Sequence, residues 1–192
     1  MDRGVGDRSI LDKFAQKFCE IIDKYVKYIV VSGFVAISHG RSRATEDIDM
    51  IIENISFDKF KNLHDDLSQS GFICVQSSRV GDIYDYLENG DSIRYVDNKE
   101  LLPPEMEVKF PKDELDLLQL ETRRKLPFTG SDIWFSSIEM NIAFKEELLK
   151  SDKDLEDANH LRIIYKDELD NSFIDEIKQK IKRLRLRKNG KR

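Results

Sequence analysis

Apolar residues recur at helical spacing from Ser9 to Tyr25, at Ile10, Phe14, Phe18, Ile21, Ile22 and Tyr25, and predict an amphipathic helix over 9–25. Tyr28 to Val31 is a short β-prone run. It ends at Ser32-Gly33, after which a second short helix is expected through Ile37. Gly40 to Glu46 is polar and reads as a loop, whereas Asp47 to Ile52 alternates as a strand. Helical spacing returns over 57–69 through Phe57, Phe60, Leu63 and Leu67, and Gly71 closes that helix. Phe72–Val75, Ser92–Val96, Met106–Phe110 and Leu115–Leu120 read as further strands, with Pro103-Pro104 between two of them. Residues 137–149, 152–165 and 168–188 read as three helices.

Helices and strands are mixed in the first part of the chain and helices close it, the order of an α+β or mixed α/β core followed by a helical region. A length of 192 residues allows one domain, or one domain with a helical appendage. The division falls at 135/136, with a core over 1–135 and a C-terminal helical region over 136–192 completing the domain.

Hydrophobic residues at 40% and charged residues at 36% describe a globular chain with a heavily charged surface, outside the disordered class. The net charge of -5 hides an uneven distribution. Of the 32 Lys and Arg residues, nine fall in 178–192 with no acid among them, leaving 23 against 37 acids elsewhere, a balance of -14. Cys19 and Cys74 read as isolated core thiols rather than a redox or metal pair. No apolar run approaches the roughly 20 residues of a membrane span, and MDRGVGDRSI lacks the apolar stretch of a signal peptide. No membrane partner and a cytoplasmic, reducing location are therefore expected.

The chemistry concentrates in residues 32–52, SGFVAISHGRSRATEDIDMII. On a strand, Asp47, Asp49 and Ile51 share one face and Ile48, Met50 and Ile52 the other. The second set is a core face. Two neighbouring carboxylates on a strand otherwise suited to burial repel each other and favour a cation between them. Mg²⁺ suits this position because it takes carboxylate and phosphate oxygens together, with Mn²⁺ as a substitute. The small-residue turn stands 14 residues before Asp47, after a strand and before a helix, where backbone N–H groups meet phosphates. Arg41, Arg43 and Thr45 lie between the two elements and supply phosphate-directed donors.

This stretch resembles the signature of the nucleotidyltransferase superfamily, the DNA polymerase β-like fold, on Gly33, Phe34, Gly40, Arg43, Thr45, Asp47 and Asp49. The form is similar to that of the small prokaryotic branch, which includes the nucleotidyltransferases of toxin–antitoxin and abortive-infection systems. Many members carry two glycines or Gly-Ser at the turn where this chain has Ser32-Gly33. The resemblance implies a nucleotidyltransferase core over 1–135, with a mixed sheet flanked by helices. It implies a Mg²⁺-dependent enzyme that moves a nucleoside monophosphate from an NTP to a hydroxyl of RNA or protein and releases pyrophosphate. Asp47 and Asp49 would be metal ligands and catalytic, with Ser32, Gly33, Arg43, Thr45 and Lys145 on the nucleotide.

The family places a third acid on a later strand, for which Asp97, Glu105 and Glu107 are the candidates here. Glu107 is chosen because Val-Lys-Phe follows it, resembling the family's strand, and its role would be metal ligand or general base. A second pattern over 138–161 resembles the branch's later motifs. On a helical wheel Lys145 falls inside the face of Ile138, Ile142, Leu148 and Leu149, and Asp154 and Asp157 fall on the face of Ala158, Leu161, Ile164 and Tyr165. Charges on apolar faces are seldom kept unless paired. Lys145 is expected to meet Asp154, Asp157 or a bound phosphate, with the two acids supporting the site from behind. Ser151-x-x-Asp154 also reads as a helix cap.

Other residues carry blander readings. His39, His64 and His160 lack metal-ligand spacing, Trp134 and Phe135 read as core, and Ser136, Ser137 and Ser151 as caps. The basic tail 178–192 is a candidate RNA contact, set against the alternative that it lies on its own acidic body. The competing function is a non-catalytic binding module of the same fold, acting as an antitoxin-like or regulatory protein partner.

Overall fold

A computed structural model of the chain describes residues 10–41, 47–99 and 104–189, and the side chains of all of these except 127 and 185–189. The first helix, α1 (Ile10–Ile22), buries Phe14, Ala15, Phe18, Cys19, Ile21 and Ile22, the stripe its 3.6-residue spacing predicts. The chain then enters β1 (Tyr28–Val31), a fully buried strand, and turns through Ser32 into α2 (Gly33–Ser38). Strand β2 (Asp47–Ile52) runs back antiparallel to β1, pairing Val31 with Asp49 and Ile29 with Ile51.

Helix α3 (Phe57–Gln69) starts at Ser56, whose side chain accepts from the Lys59 N–H, and ends before Gly71, which takes a φ of 93°. Then come β3 (Phe72–Cys74), α4 (Val80–Glu88), β4 (Ile93–Asp97) and β5 (Glu105–Lys109). The hydrophobic pattern predicts no element at α4, because Ile83 and Leu87 are the only residues it buries. Two anchors make a faint periodic signal.

The expected strand at 115–120 is a helix instead, α5 (Glu114–Glu121). Its apolar run is short, and short runs do not separate strand from helix by periodicity. The composition decides it. Leu, Glu and Gln favour a helix, and no β-branched or aromatic residue is present. Asp113 caps the helix, accepting from the Leu115 and Asp116 N–H groups.

Two short strands follow, β6 (Arg124–Lys125) and β7 (Trp134–Phe135). Helix α6 (Ile138–Phe144) begins at its Ser137 cap and runs into a widened turn, Lys145–Leu149, where the Lys150 N–H reaches the Lys145 carbonyl at 3.0 Å. Ser151 caps α7 (Asp152–Ile164), and α8 (Asn171–Asn189) closes the described chain.

The strands form one mixed sheet in the order β3-β4-β5-β2-β1-β7-β6. β2 lies parallel to β5, and β1 parallel to β7; the remaining neighbours are antiparallel. The architecture is mixed α+β, as the order of elements predicts. One sheet face carries Val30, Ile48, Met50, Ile52, Met106 and Val108 into the main core. Phe18 sits in that core edge-on to Phe72 at 5.0 Å and beside Tyr95 at 5.5 Å. The opposite face is apolar only at its centre, where Ile29, Val31 and Ile51 meet Leu120 of α5. Among the described residues no helix is long and apolar enough to cross a membrane.

Phe18 is fully buried, so Phe18→Ala is expected to cost about 3–5 kcal/mol through lost burial and a residual cavity. A urea unfolding midpoint measured beside that of the unsubstituted chain checks this.

Candidate functional site

The register sets the charged half of the second sheet face. Asp47 pairs with Glu105, Asp49 with Glu107 and Ile51 with Lys109 across the parallel β2–β5 ladder. Arg94 pairs with Glu107 across the antiparallel β4–β5 ladder. Paired residues project from the same side, so Arg94, Glu105, Glu107, Lys109, Asp47 and Asp49 share one surface.

Asp49 is half-buried, and burial is the main cause of a raised pKa. The hydroxyl of Ser32 bonds to it and Lys109 lies near enough to offset the rise, while Glu107 and Asp47 add to it by repulsion. Ser32 itself has φ 67° and ψ -136°. A non-glycine residue in that region stores on the order of 1–3 kcal/mol of strain. Glycine there would remove the strain and with it the hydroxyl on Asp49.

Glu107 is engaged by Arg94, whose Nη2 donates to its Oε2 at 2.7 Å while Nε stands 3.5 Å from Glu105 Oε2. Among the described residues no three acidic, His or Cys side chains are gathered around one point. Asp97, the other acid considered on a later strand, pairs with Lys17 at 3.6 Å.

Lys145 is buried, 1% exposed, with Nζ at 2.9 Å from Asp157 and 3.3 Å from Asp154. Of the two partners the sequence leaves open, acid or phosphate, the structure shows the acids. Asp157 is fully buried and also faces Arg41, whose guanidinium reaches Glu156 on the same helix. Asp154 combines both readings: its N–H is capped by Ser151, and its carboxyl bonds the Ser151 hydroxyl and the Lys145 ammonium. Those contacts hold its pKa below the usual range against the opposing effect of burial.

His39 is buried between the Val35 carbonyl and the Tyr165 hydroxyl, at 2.6 and 2.7 Å, and burial lowers its pKa. It is a packing residue. Ser137 and Ser151 are caps as expected, whereas Ser136 donates to Gln119 at 2.8 Å and caps nothing. Phe135 is core; Trp134 is partly open and lies under Arg123 and Lys125. In the basic tail, Lys178 pairs with Glu146, Lys182 with Glu147 and Lys180 with Glu176. Arg43 and Thr45 lie outside the described residues, as do the tail's side chains beyond Leu184.

A cavity of about 390 Å³ opens beside Asp49. Its floor is the sheet face at Ser32, Asp49, Ile51 and Lys109, and its walls come from α5, α6 with its widened turn, and α8. Leu115, Phe144, Leu148, Ile181 and Leu184 give it apolar walls. Asp116, Gln119 and Asn141, each more than nine-tenths buried, make a polar strip in those walls.

Sequence reasoning missed Arg94, Lys109 and that strip. Lys109 was legible, since it follows Glu105 and Glu107 at the two-residue period of one strand face. Arg94 needed the β4–β5 register, and the strip needed α5 to be a helix.

No family model matches the chain, and no curated protein matches it significantly. Solved structures resemble it, two of them as follows. The crystal structure of an antigenic nucleotidyltransferase-like protein from Paracoccidioides brasiliensis superposes with a TM-score of 0.55 at 19% identity, covering 94% of this chain and 90% of that one. The solution structure of the antibiotic-resistance factor ANT(2'')-Ia superposes with a TM-score of 0.53 at 10% identity, covering 93% and 97%. At such identities the likeness is one of fold, and the chain has the nucleotidyltransferase-like fold.

Two stability effects follow. Lys145→Met takes away the ammonium between two acids and is expected to cost about 3–5 kcal/mol. Asp49→Asn is expected to raise the neutral-pH unfolding midpoint. A carboxyl whose folded pKa is raised keeps its proton to higher pH than the unfolded chain, so its stabilisation is present at low pH. That stabilisation is lost as pH rises from about 3.9, the usual Asp value, through the folded value. Urea titrations of both variants at neutral pH, and of the Asp49 variant also near pH 4, check the two signs.

Proposed function

We propose that the chain is a metal-dependent nucleotidyltransferase that moves a nucleoside monophosphate from an NTP to a hydroxyl acceptor. The observation that supports it best is Asp49: a half-buried carboxylate, crowded by Glu107 and Asp47, at the mouth of a ligand-sized cavity on a nucleotidyltransferase-like sheet.

Asp47, Asp49 and, once Arg94 releases it, Glu107 would hold a hard divalent cation, although the three are not gathered around one point in this structure. They offer oxygen donors from adjacent strands roughly 4.8 Å apart, and their mutual repulsion is what a cation relieves. When bound, Mg²⁺ or Mn²⁺ supplies Lewis-acid polarisation of the triphosphate and favours the ionised acceptor hydroxyl. Glu107 lies on the β4 side of Asp49 and serves the acceptor, taking its proton once Arg94 gives way. The acceptor oxygen attacks the α-phosphorus; that O–P bond forms as the bond from the α-phosphorus to the bridging oxygen breaks, and pyrophosphate leaves with the electron pair. The Ser32-Gly33 turn offers backbone N–H groups to the outer phosphates, and Lys109 places a positive charge beside Asp49. Arg43 and Thr45, which lie outside the described residues, are kept as phosphate-directed donors by their residue types. Lys145, which lines the cavity and pairs with Asp154 and Asp157, is the further cation set to meet the triphosphate.

An RNA acceptor is favoured by Arg183 and the basic residues after it, which form the end of an otherwise acidic chain. The rival reading, a binding module with an antitoxin-like role, draws on the Arg94–Glu107 pair, which ties up the third carboxylate.

Incubation of the full chain with α-labelled NTPs, Mg²⁺ or Mn²⁺ and cell extract is expected to label one acceptor class and release pyrophosphate. Asp47→Asn or Asp49→Asn should reduce labelling to background while the circular dichroism spectrum stays unchanged. Absence of transfer with either metal and all four NTPs would favour the binding module.

A further inference from the structure

We propose that Arg41 is a positioning residue that frees Lys145 for an anionic ligand: it holds the Asp157 carboxylate by its other oxygen, so that the Lys145 ammonium can exchange that carboxylate for a phosphate in the cavity. This inference rests on the nucleotidyl-transfer reading, which puts a polyphosphate beside Lys145, and adds how the cation is released to it.

The ion cluster has one member at the cavity and the rest behind it. Asp157 is fully buried and divides its oxygens between two cations: Oδ2 lies 2.9 Å from Lys145 Nζ, and Oδ1 faces Arg41 Nε. Lys145 also donates to Asp154 Oδ1 at 3.3 Å, and Arg41 reaches Glu156 through Nη2. Among these described side chains only Lys145 lines the cavity. An anion that enters therefore meets the ammonium before the guanidinium.

A cation this deep does not leave its partner freely. A buried carboxylate stripped of its counter-charge is strongly disfavoured, which would keep Lys145 on Asp157 whatever occupied the cavity. Here each acid that Lys145 leaves has another donor already in place. The Asp154 carboxyl keeps the Ser151 hydroxyl, and Asp157 keeps the Arg41 guanidinium. The second contact matters more, because Asp157 is shut off from water whereas Asp154 is partly open.

The two cations suit their separate tasks. Arg41 presents a rigid fork, permanently charged, that spans Asp157 and Glu156 at once, and the bond to Glu156 keeps it from following Lys145. Lys145 carries a compact charge on a flexible stem, the side chain of the pair that can swing. With Arg41 in place, release of Lys145 changes which cation Asp157 shares and leaves the interior charge matched.

Calorimetric titration of the full chain with inorganic tripolyphosphate and Mg²⁺ tests this. Arg41→Gln makes Asp157 depend on Lys145 and is expected to weaken binding roughly tenfold or more, in proportion to the smaller population with Lys145 released. Adding Asp157→Asn to Arg41→Gln removes the carboxylate that retains Lys145 and is expected to restore most of the affinity. A guanidinium that touched the phosphate directly, or one that only tied the end of α2 to α7, would not be replaced by a second neutral substitution. Unchanged affinity in Arg41→Gln, or no restoration in the double variant, would overturn the proposal and leave the transfer reading standing. Should these variants fail to fold, a crystal structure of the unsubstituted chain with Mg²⁺ and tripolyphosphate decides. Lys145 Nζ is expected on a phosphate oxygen with Arg41 still on Asp157; Lys145 remaining on Asp157, or Arg41 on the phosphate, would overturn the proposal. Binding of neither tripolyphosphate nor the β,γ-imido analogues of the four NTPs would overturn both readings.

Discussion

A lysine ammonium with almost no access to water has to be matched by negative charge, and the Lys145–Asp157 pair meets that requirement where the helices gather. Asp157 on α7 receives Lys145 from the widened turn and also faces Arg41, the last described residue before β2. One buried carboxylate thus joins the end of the α2 segment, α7 and the turn after α6. Both faces of the cavity wall depend on that junction. If the turn moved, Phe144 and Leu148 would move with it, and the space beside Asp49 would change shape. Close-packed interiors transmit such shifts rather than absorbing them.

The charged sheet face follows a different rule. Its acids are not neutralised in one cluster; Arg94 holds the two glutamates, and Ser32 and Lys109 act on Asp49. Ser32 bonds Asp49, Arg94 holds Glu107 and approaches Glu105, and Lys109 faces Asp49 from the next strand. Ser32 makes its bond at the cost of a strained backbone, which is the pattern expected where a residue serves a site more than it serves folding.

Legibility in the sequence divides along the same physical lines. Strand β2 was readable because period two forces Asp47 and Asp49 to one side and Ile48 and Met50 to the other. Lys145 was readable as a paired charge because a wheel places it among Ile138 and Ile142. Which partner it takes was not, since Asp157 and a phosphate satisfy the same requirement. The 115–120 segment was misread because four leucines in a short run fit either period, and the helix is settled by Asp113 and by composition. Arg94 was invisible for a further reason. Its partner is 13 residues away along the chain, on an antiparallel neighbouring strand whose register no local pattern determines.

The widened turn at Lys145–Leu149 works as a phase shifter between α6 and the next cap. A regular helix advances by about 100° per residue, so an extra residue within one turn offsets everything after it by about that angle. Across this turn Lys145 bonds Asp157 while Lys145, Leu148 and Leu149 together line the cavity. The turn also makes chain length at this point a matter of phase. A single-residue deletion anywhere in 145–149 would rotate the hydrophobic side chains out of alignment, whereas the same deletion in an exposed connection would pass unnoticed. Relatives of this chain that keep the cavity should therefore vary in residue type here before they vary in number.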